Sequence, residues 1–219
     1  MKKLSMILAC ALTVGVLGGC GNSFDAAEYT RAILDNSYKN DSSKFVEMKV
    51  GTAEEAADLY EQGLKSEVEA LVYLSGAGSA TDEQFEELKG VFADIYKATK
   101  YTVDGAEKQD DGSYLVTITY EQINVLGPAM ESYNAEAETM IANWDSTGEY
   151  PSTEEMSEQF IDVYIDCFTT ALANATYDEA ATATLKIELV DKVWTPNEED
   201  VLNFETSLFD IEALTSAMQ

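Results

Sequence analysis

From residue 25 onward, apolar residues recur at two spacings, and the change of spacing divides the chain into elements. Helical spacing comes first, with Ala53, Ala57, Tyr60, Leu64, Val68 and Leu71 marking one face. Phe85, Leu88, Phe92 and Ile95 mark a second helix, and behind Pro128 come Met130, Tyr133, Ala137, Met140, Ile141 and Trp144. The widest stripe runs Met156, Phe160, Val163, Tyr164, Cys167, Phe168 and Ala171; the last is Val201, Phe204, Leu208 and Ile211. Start signals precede the stripes. Asp25 with Glu28, Thr52 with Glu55, Thr81 with Gln84, Ser152 with Glu155 and Thr195 with Glu198 have capping-box spacing. There the first side chain accepts an orphan backbone N–H and the fourth reaches back to another. Pro196 then falls at a first helical position, where its missing N–H costs nothing.

Between helices the period drops to two. Residues 101–108 and 113–125 read as a β-hairpin, with Asp111-Gly112 in its turn and Tyr114, Val116, Ile118 and Tyr120 on one face. A third strand is expected over 183–193, where Ala183, Leu185, Ile187 and Leu189 alternate with polar residues. An isolated hairpin is marginal, so this strand should complete a small antiparallel sheet against the helices. The expectation is an α+β fold, helix-rich, with residues 25–219 as a single acidic domain.

The first nineteen residues have a different character. Lys2 and Lys3 precede a largely apolar run, and Gly18 and Gly19 lead to Cys20, the order of a secretory signal. The run is shorter than the ~20 residues that span a bilayer comfortably. Leu17-Gly18-Gly19-Cys20 resembles the bacterial lipobox, with Gly18 where Ala, Ser or Thr is commoner. That resemblance implies a signal peptide over residues 1–19 and diacylglyceryl modification of Cys20, the new N-terminus. Residues 20–24 would then form a tether spanning at most ~14 Å. Two acyl chains hold a protein stably at a membrane where one does not.

A cut before Cys20 leaves 200 residues, enough to bury roughly 70% of the unfolded surface. Cys10 departs with the signal and Cys20 is acylated, so Cys167 has no partner for an intrachain disulfide. Losing Lys2 and Lys3 leaves 11 basic against 41 acidic residues, a formal charge of −30. Such a field repels nucleic acid and anionic lipid alike, so the lipid itself must do the holding.

The runs "ILDNSYKNDSSKFVEMKVGTAEEAADLYEQGLKSEVEAL" and "KYTVDGAEKQDDGSYLVTITYEQINV" resemble uncharacterised small lipoproteins of Firmicutes, from about Asp25 to about Phe209. The resemblance implies a domain of unknown function behind a lipobox and carries no catalytic signature. Histidine is absent, which removes Ser-His and Cys-His catalysis and His-ligated metals. Cys167 lies in an apolar stripe and reads as an inert thiol. Paired carboxylates at Glu54/Glu55, Asp82/Glu83, Glu154/Glu155 and Glu198/Glu199/Asp200 fall in helical first turns, where the helix dipole favours negative charge. Asp110-Asp111-Gly112 offers oxygen ligands without the spacing of a calcium loop. Tyr29, Tyr73, Tyr114 and Tyr120 are open to two readings, core packing or a concave binding face. No catalytic, cofactor-binding or metal residues are assigned, and lipidation at Cys20 is the one site. The expectation is a non-enzymatic lipoprotein on the outer face of the cell membrane that binds an envelope partner or small ligand. A carboxylate-dependent cell-wall hydrolase and a small solute-binding lipoprotein of an import system remain as alternatives.

Overall fold

The computed structural model describes residues 16–17, 24–76 and 78–217. Cys20 lies outside the described residues, as do most of the signal segment and the tether up to Ser23. In chain order the elements are β1 (Val16–Leu17), α1 (Ala26–Lys39), α2 (Ser43–Glu47), α3 (Ala53–Ser75), α4 (Asp82–Ala98), β2 (Lys100–Lys108) and β3 (Tyr114–Glu121). There follow β4 (Ile123–Asn124), α5 (Leu126–Thr147), α6 (Thr153–Ala173), β5 (Thr176–Tyr177), β6 (Ala181–Val190), β7 (Val193–Pro196), α7 (Glu198–Leu208) and α8 (Ile211–Ala217). This is the α+β fold expected, with an antiparallel sheet in the order β1-β7-β6-β3-β2 and a separate two-residue pairing of β4 with β5.

Local chemistry fixes most helix starts. Thr52, Thr81 and Ser152 form complete capping boxes with Glu55, Gln84 and Glu155, and Asp25 accepts the Glu28 N–H at 3.0 Å. The fifth start differs from expectation. Thr195 and Pro196 belong to β7, and Asn197 caps α7 by accepting from the Glu199 and Asp200 N–H groups. The shift follows from an unexpected turn. Asp191 and Lys192 both have positive φ (51° and 70°), so the strand expected over 183–193 stops at Val190 and doubles back. The result is a second hairpin, with Leu189 facing Trp194 and Val190 facing Val193. A two-residue loop with both φ positive matches the strand twist, although Asp-Lys lacks the glycine that normally announces it.

The first hairpin also ends early. β3 stops at Glu121, where the Gln122 side chain donates to the Ser207 and Phe209 carbonyls at 3.1 and 3.2 Å. Ile123-Asn124 then pairs with Tyr177-Thr176. Ile123 and Val125 are both buried, so alternation continues past the point where the ladder breaks.

One helix is wrapped by its neighbours. α1 packs against α2, α3, α4, β2 and β3, burying Tyr29, Ile33, Leu34 and Tyr38 almost completely. α5 and α6 form an antiparallel pair that runs beyond this core. Ile141, expected on the buried stripe, is 45% exposed, and Trp144 finds Phe160 across the pair at 5.6 Å instead of the main core.

The start of α5 has no side-chain cap of its own, because Val125 stands at the N-cap. Buried Asp210 replaces it, accepting the N–H groups of Val125, Leu126 and Gly127 at 3.3, 2.9 and 2.8 Å. Gly127 permits the close approach, since a Cβ there would lie 2.5 Å from the Ala213 Cβ. Asp210→Ala should lower the urea unfolding free energy by about 3 kcal/mol, for it strands three buried donors and removes a charged acceptor. Asp210→Asn should cost less, and an alanine loss under about 1 kcal/mol would mean that α5 is held by other contacts.

Candidate functional site

The chain enters the domain through an aromatic clamp. Phe24, the first residue of the continuous described chain, stacks on Trp194 with ring centres 4.4 Å apart and planes 4° from parallel. Tyr114 meets Phe24 edge-on at 5.6 Å and Tyr29 meets it tilted at 5.4 Å. The Tyr29 hydroxyl, at the start of α1, donates to the Trp194 carbonyl at 3.1 Å. One turn of α1, β3 and the β6–β7 hairpin are thereby pinned to the residue four places after Cys20. Each aromatic pair contributes about 0.5–1.5 kcal/mol beyond area burial.

A second unusual place is the interior. Glu67 of α3 and Glu205 of α7 are 5% and 1% exposed. The Tyr38 hydroxyl donates to Glu205 Oε1 at 3.3 Å. The second oxygen of each carboxyl has no hydrogen-bond partner. Burial pushes Glu67 up to about 8. Burial, reinforced by the charge of Glu67, holds Glu205 well above the ordinary carboxylate range. Both sit on apolar stripes, Glu67 three residues after Leu64 and Glu205 three before Leu208, which was the signal for their burial. Among so many solvent-facing glutamates that signal is weak.

Two of the open grooves on the surface exceed 500 Å³. The first, about 560 Å³, lies between α5 and α6, with Ser132 and Glu136 on one wall and Asp166, Cys167, Thr170 and Asn174 on the other. Burial raises the Cys167 thiol, and Glu136 and Asp166 raise it further, so nothing here generates a thiolate. The second groove, about 520 Å³, is polar and carries Gln122, Asn124, Asp178, Glu179, Thr206 and Glu212. Asp178 is occupied by the Asn124 amide at 2.8 Å.

Of the two readings open for the four tyrosines, a shared concave face is not assembled. Tyr29 is in the core, Tyr73 stands 83% exposed on α3, Tyr114 joins the clamp, and Tyr120 packs edge-on against Phe204. Asp111 holds its proton only below about 2, through hydrogen bonds from Ser113 and an ion pair with Lys186 at 3.3 Å. Its carboxylate is committed to the hairpin turn. Among the described residues no group of three or more acidic or cysteine side chains is placed to hold a metal, and no helix is long and apolar enough to cross a membrane.

No family model matches the chain, and no curated protein matches it. The fold is similar to that in a crystal structure titled "a putative lipoprotein (ycdA) from Bacillus subtilis subsp. subtilis str. 168". The TM-score is 0.51 at 13% identity, covering 84% of this chain and 56% of that one. The likeness is one of fold. This chain spans little more than half the length of that structure.

The buried acids generate a pH dependence with a definite sign. Each carboxyl has a higher pKa folded than unfolded, so between the two values the folded chain binds more protons. Their contribution to stability is complete below the ordinary carboxylate range; that of Glu67 is lost as pH rises through about 8, and that of Glu205 is likewise lost on the alkaline side. Glu67→Gln should therefore raise the melting temperature at pH 9 by roughly 4–8 °C over wild type, the shift that about 2 kcal/mol gives in a chain of this size. At pH 5 the two should melt together. A difference that does not change between pH 5 and pH 9 would show that Glu67 is not the group responsible.

Proposed function

We propose that this protein is a lipoprotein held at the outer face of the cell membrane through diacylglyceryl on Cys20, with a non-enzymatic domain that binds an envelope partner or small ligand. The observation that carries the reading is Leu17-Gly18-Gly19-Cys20 standing four residues before Phe24, which stacks into the folded domain. A lipid at Cys20 then needs no long linker, because the domain begins within ~14 Å of it. The Bacillus subtilis protein of similar fold, itself named "a putative lipoprotein", agrees with this. So does the charge, since a domain at −30 gains nothing from anionic lipid and depends on covalent anchoring.

Binding rather than catalysis is supported by the chemistry of the grooves. Cys167 is not activated, histidine is absent from the sequence, and the helix-start carboxylates Glu55 and Glu155 are engaged in capping boxes. The polar groove carrying Glu179 and Glu212 suits a ligand with hydroxyl or ammonium groups. In cells, wild-type protein should incorporate labelled palmitate and enter the detergent-rich phase of a cloud-point separation. Cys20→Ala should abolish both. Wild-type protein recovered in the aqueous phase with its initiator methionine would contradict the reading.

A further inference from the structure

Among the described residues, exposed large apolar side chains are few, and most stand apart. Val46, Tyr73, Ile141 and Tyr150 lie on four separate stretches of chain. Leu189 and Val190 are the exception, adjacent and 52% and 55% exposed at the tip of the β6–β7 hairpin. The Asp191-Lys192 turn that follows holds the tip in a fixed shape, with both residues at positive φ. Half-buried Val193 and Trp194 continue the apolar character on the return strand.

The same tip is nearly free of net charge. Asp191 and Lys192 oppose one another in the turn, and farther down β6 Lys186 bonds Glu188 at 2.7 Å and Asp111 at 3.3 Å. This is unusual on a chain of formal charge −28. Position decides what covers it. Trp194 of this hairpin is the residue on which Phe24 stacks, and the four steps from Phe24 back to Cys20 span at most ~14 Å. Whatever holds Cys20 is therefore within reach of Leu189 and Val190.

We infer that the β6–β7 hairpin is a membrane-contact element: Leu189 and Val190 dip into the interfacial layer of the bilayer that carries the anchor, with Trp194 behind them. The inference rests on the lipid anchor proposed above and adds an orientation to it. Small, charge-balanced apolar tips enter the headgroup boundary readily, and tryptophan is favoured at that depth. The acidic remainder of the surface is turned to water.

The test uses the mature lipidated protein in phosphatidylcholine vesicles, with bimane attached at Val190→Cys or, as a control, at Tyr150→Cys on the loop between α5 and α6. Cys167 is buried with a raised pKa and labels slowly. Vesicles with a nitroxide on the upper acyl chain should quench position 190 at least twofold more than position 150. Protein that floats with the vesicles but is quenched equally at both sites overturns the hairpin contact and leaves the anchor standing. Protein that does not float overturns both. Crosslinking of position 190 to another protein in cells, without lipid quenching, overturns the contact in favour of a protein partner.

Discussion

The structure depends on burying one helix on nearly every side. Nine of the fourteen residues of α1 are buried, more than one amphipathic face supplies, so α1 must be covered by both the sheet and the other helices. It is also the first helix after Phe24. In most chains the residues behind a terminus or anchor fray; here they form the interior. The sheet lies across one side of α1 through β2 and β3, and α2, α3 and α4 close the others.

Sinking α1 brings polar groups with it, and their placement shows how the cost is met. The Asn36 amide donates to the Ala56 carbonyl at 3.1 Å, and the Tyr101 hydroxyl donates to Asp35 at 2.8 Å. Lys39 spans to the Lys97 carbonyl at 2.8 Å, tying the end of α1 to the end of α4. Tyr38, fully buried, reaches Glu205, and the charge of Glu67 bears on the same hydroxyl. A buried carboxyl that stays protonated is tolerable; an ionised one is not. The core therefore has a built-in preference for acid, which an otherwise apolar interior would lack. At the opposite end of α1 the aromatic clamp joins the helix start to the β6–β7 hairpin. Phe24, the core helix and the exposed hairpin are thus linked through a few contacts.

How far the sequence reveals this depends on which signal each element carries. Four helix starts were legible because capping residues act locally, and Thr52, Thr81 and Ser152 do as their spacing implies. The β2–β3 hairpin was legible through Gly112, whose positive φ the turn requires. The β6–β7 turn was hidden because Asp191-Lys192 adopts the same conformation without glycine, and β7 was merged with its neighbour. Asp210 could not be found in advance, for it caps a helix 83 residues away. Nor could the clamp, since stacking of Phe24 on Trp194 joins the two ends of the domain. The buried glutamates were legible in principle, at stripe positions, but charge outweighed spacing in reading them.

The folded core begins at the residues immediately behind Phe24. Native-state hydrogen exchange on the full chain tests it most directly. The account predicts that amides of residues 29–38 exchange only through global unfolding, among the slowest in the protein, while residues 138–147 at the outlying end of α5 exchange through local opening. Exchange of residues 29–38 as fast as that outlying segment, and insensitive to denaturant, would contradict it.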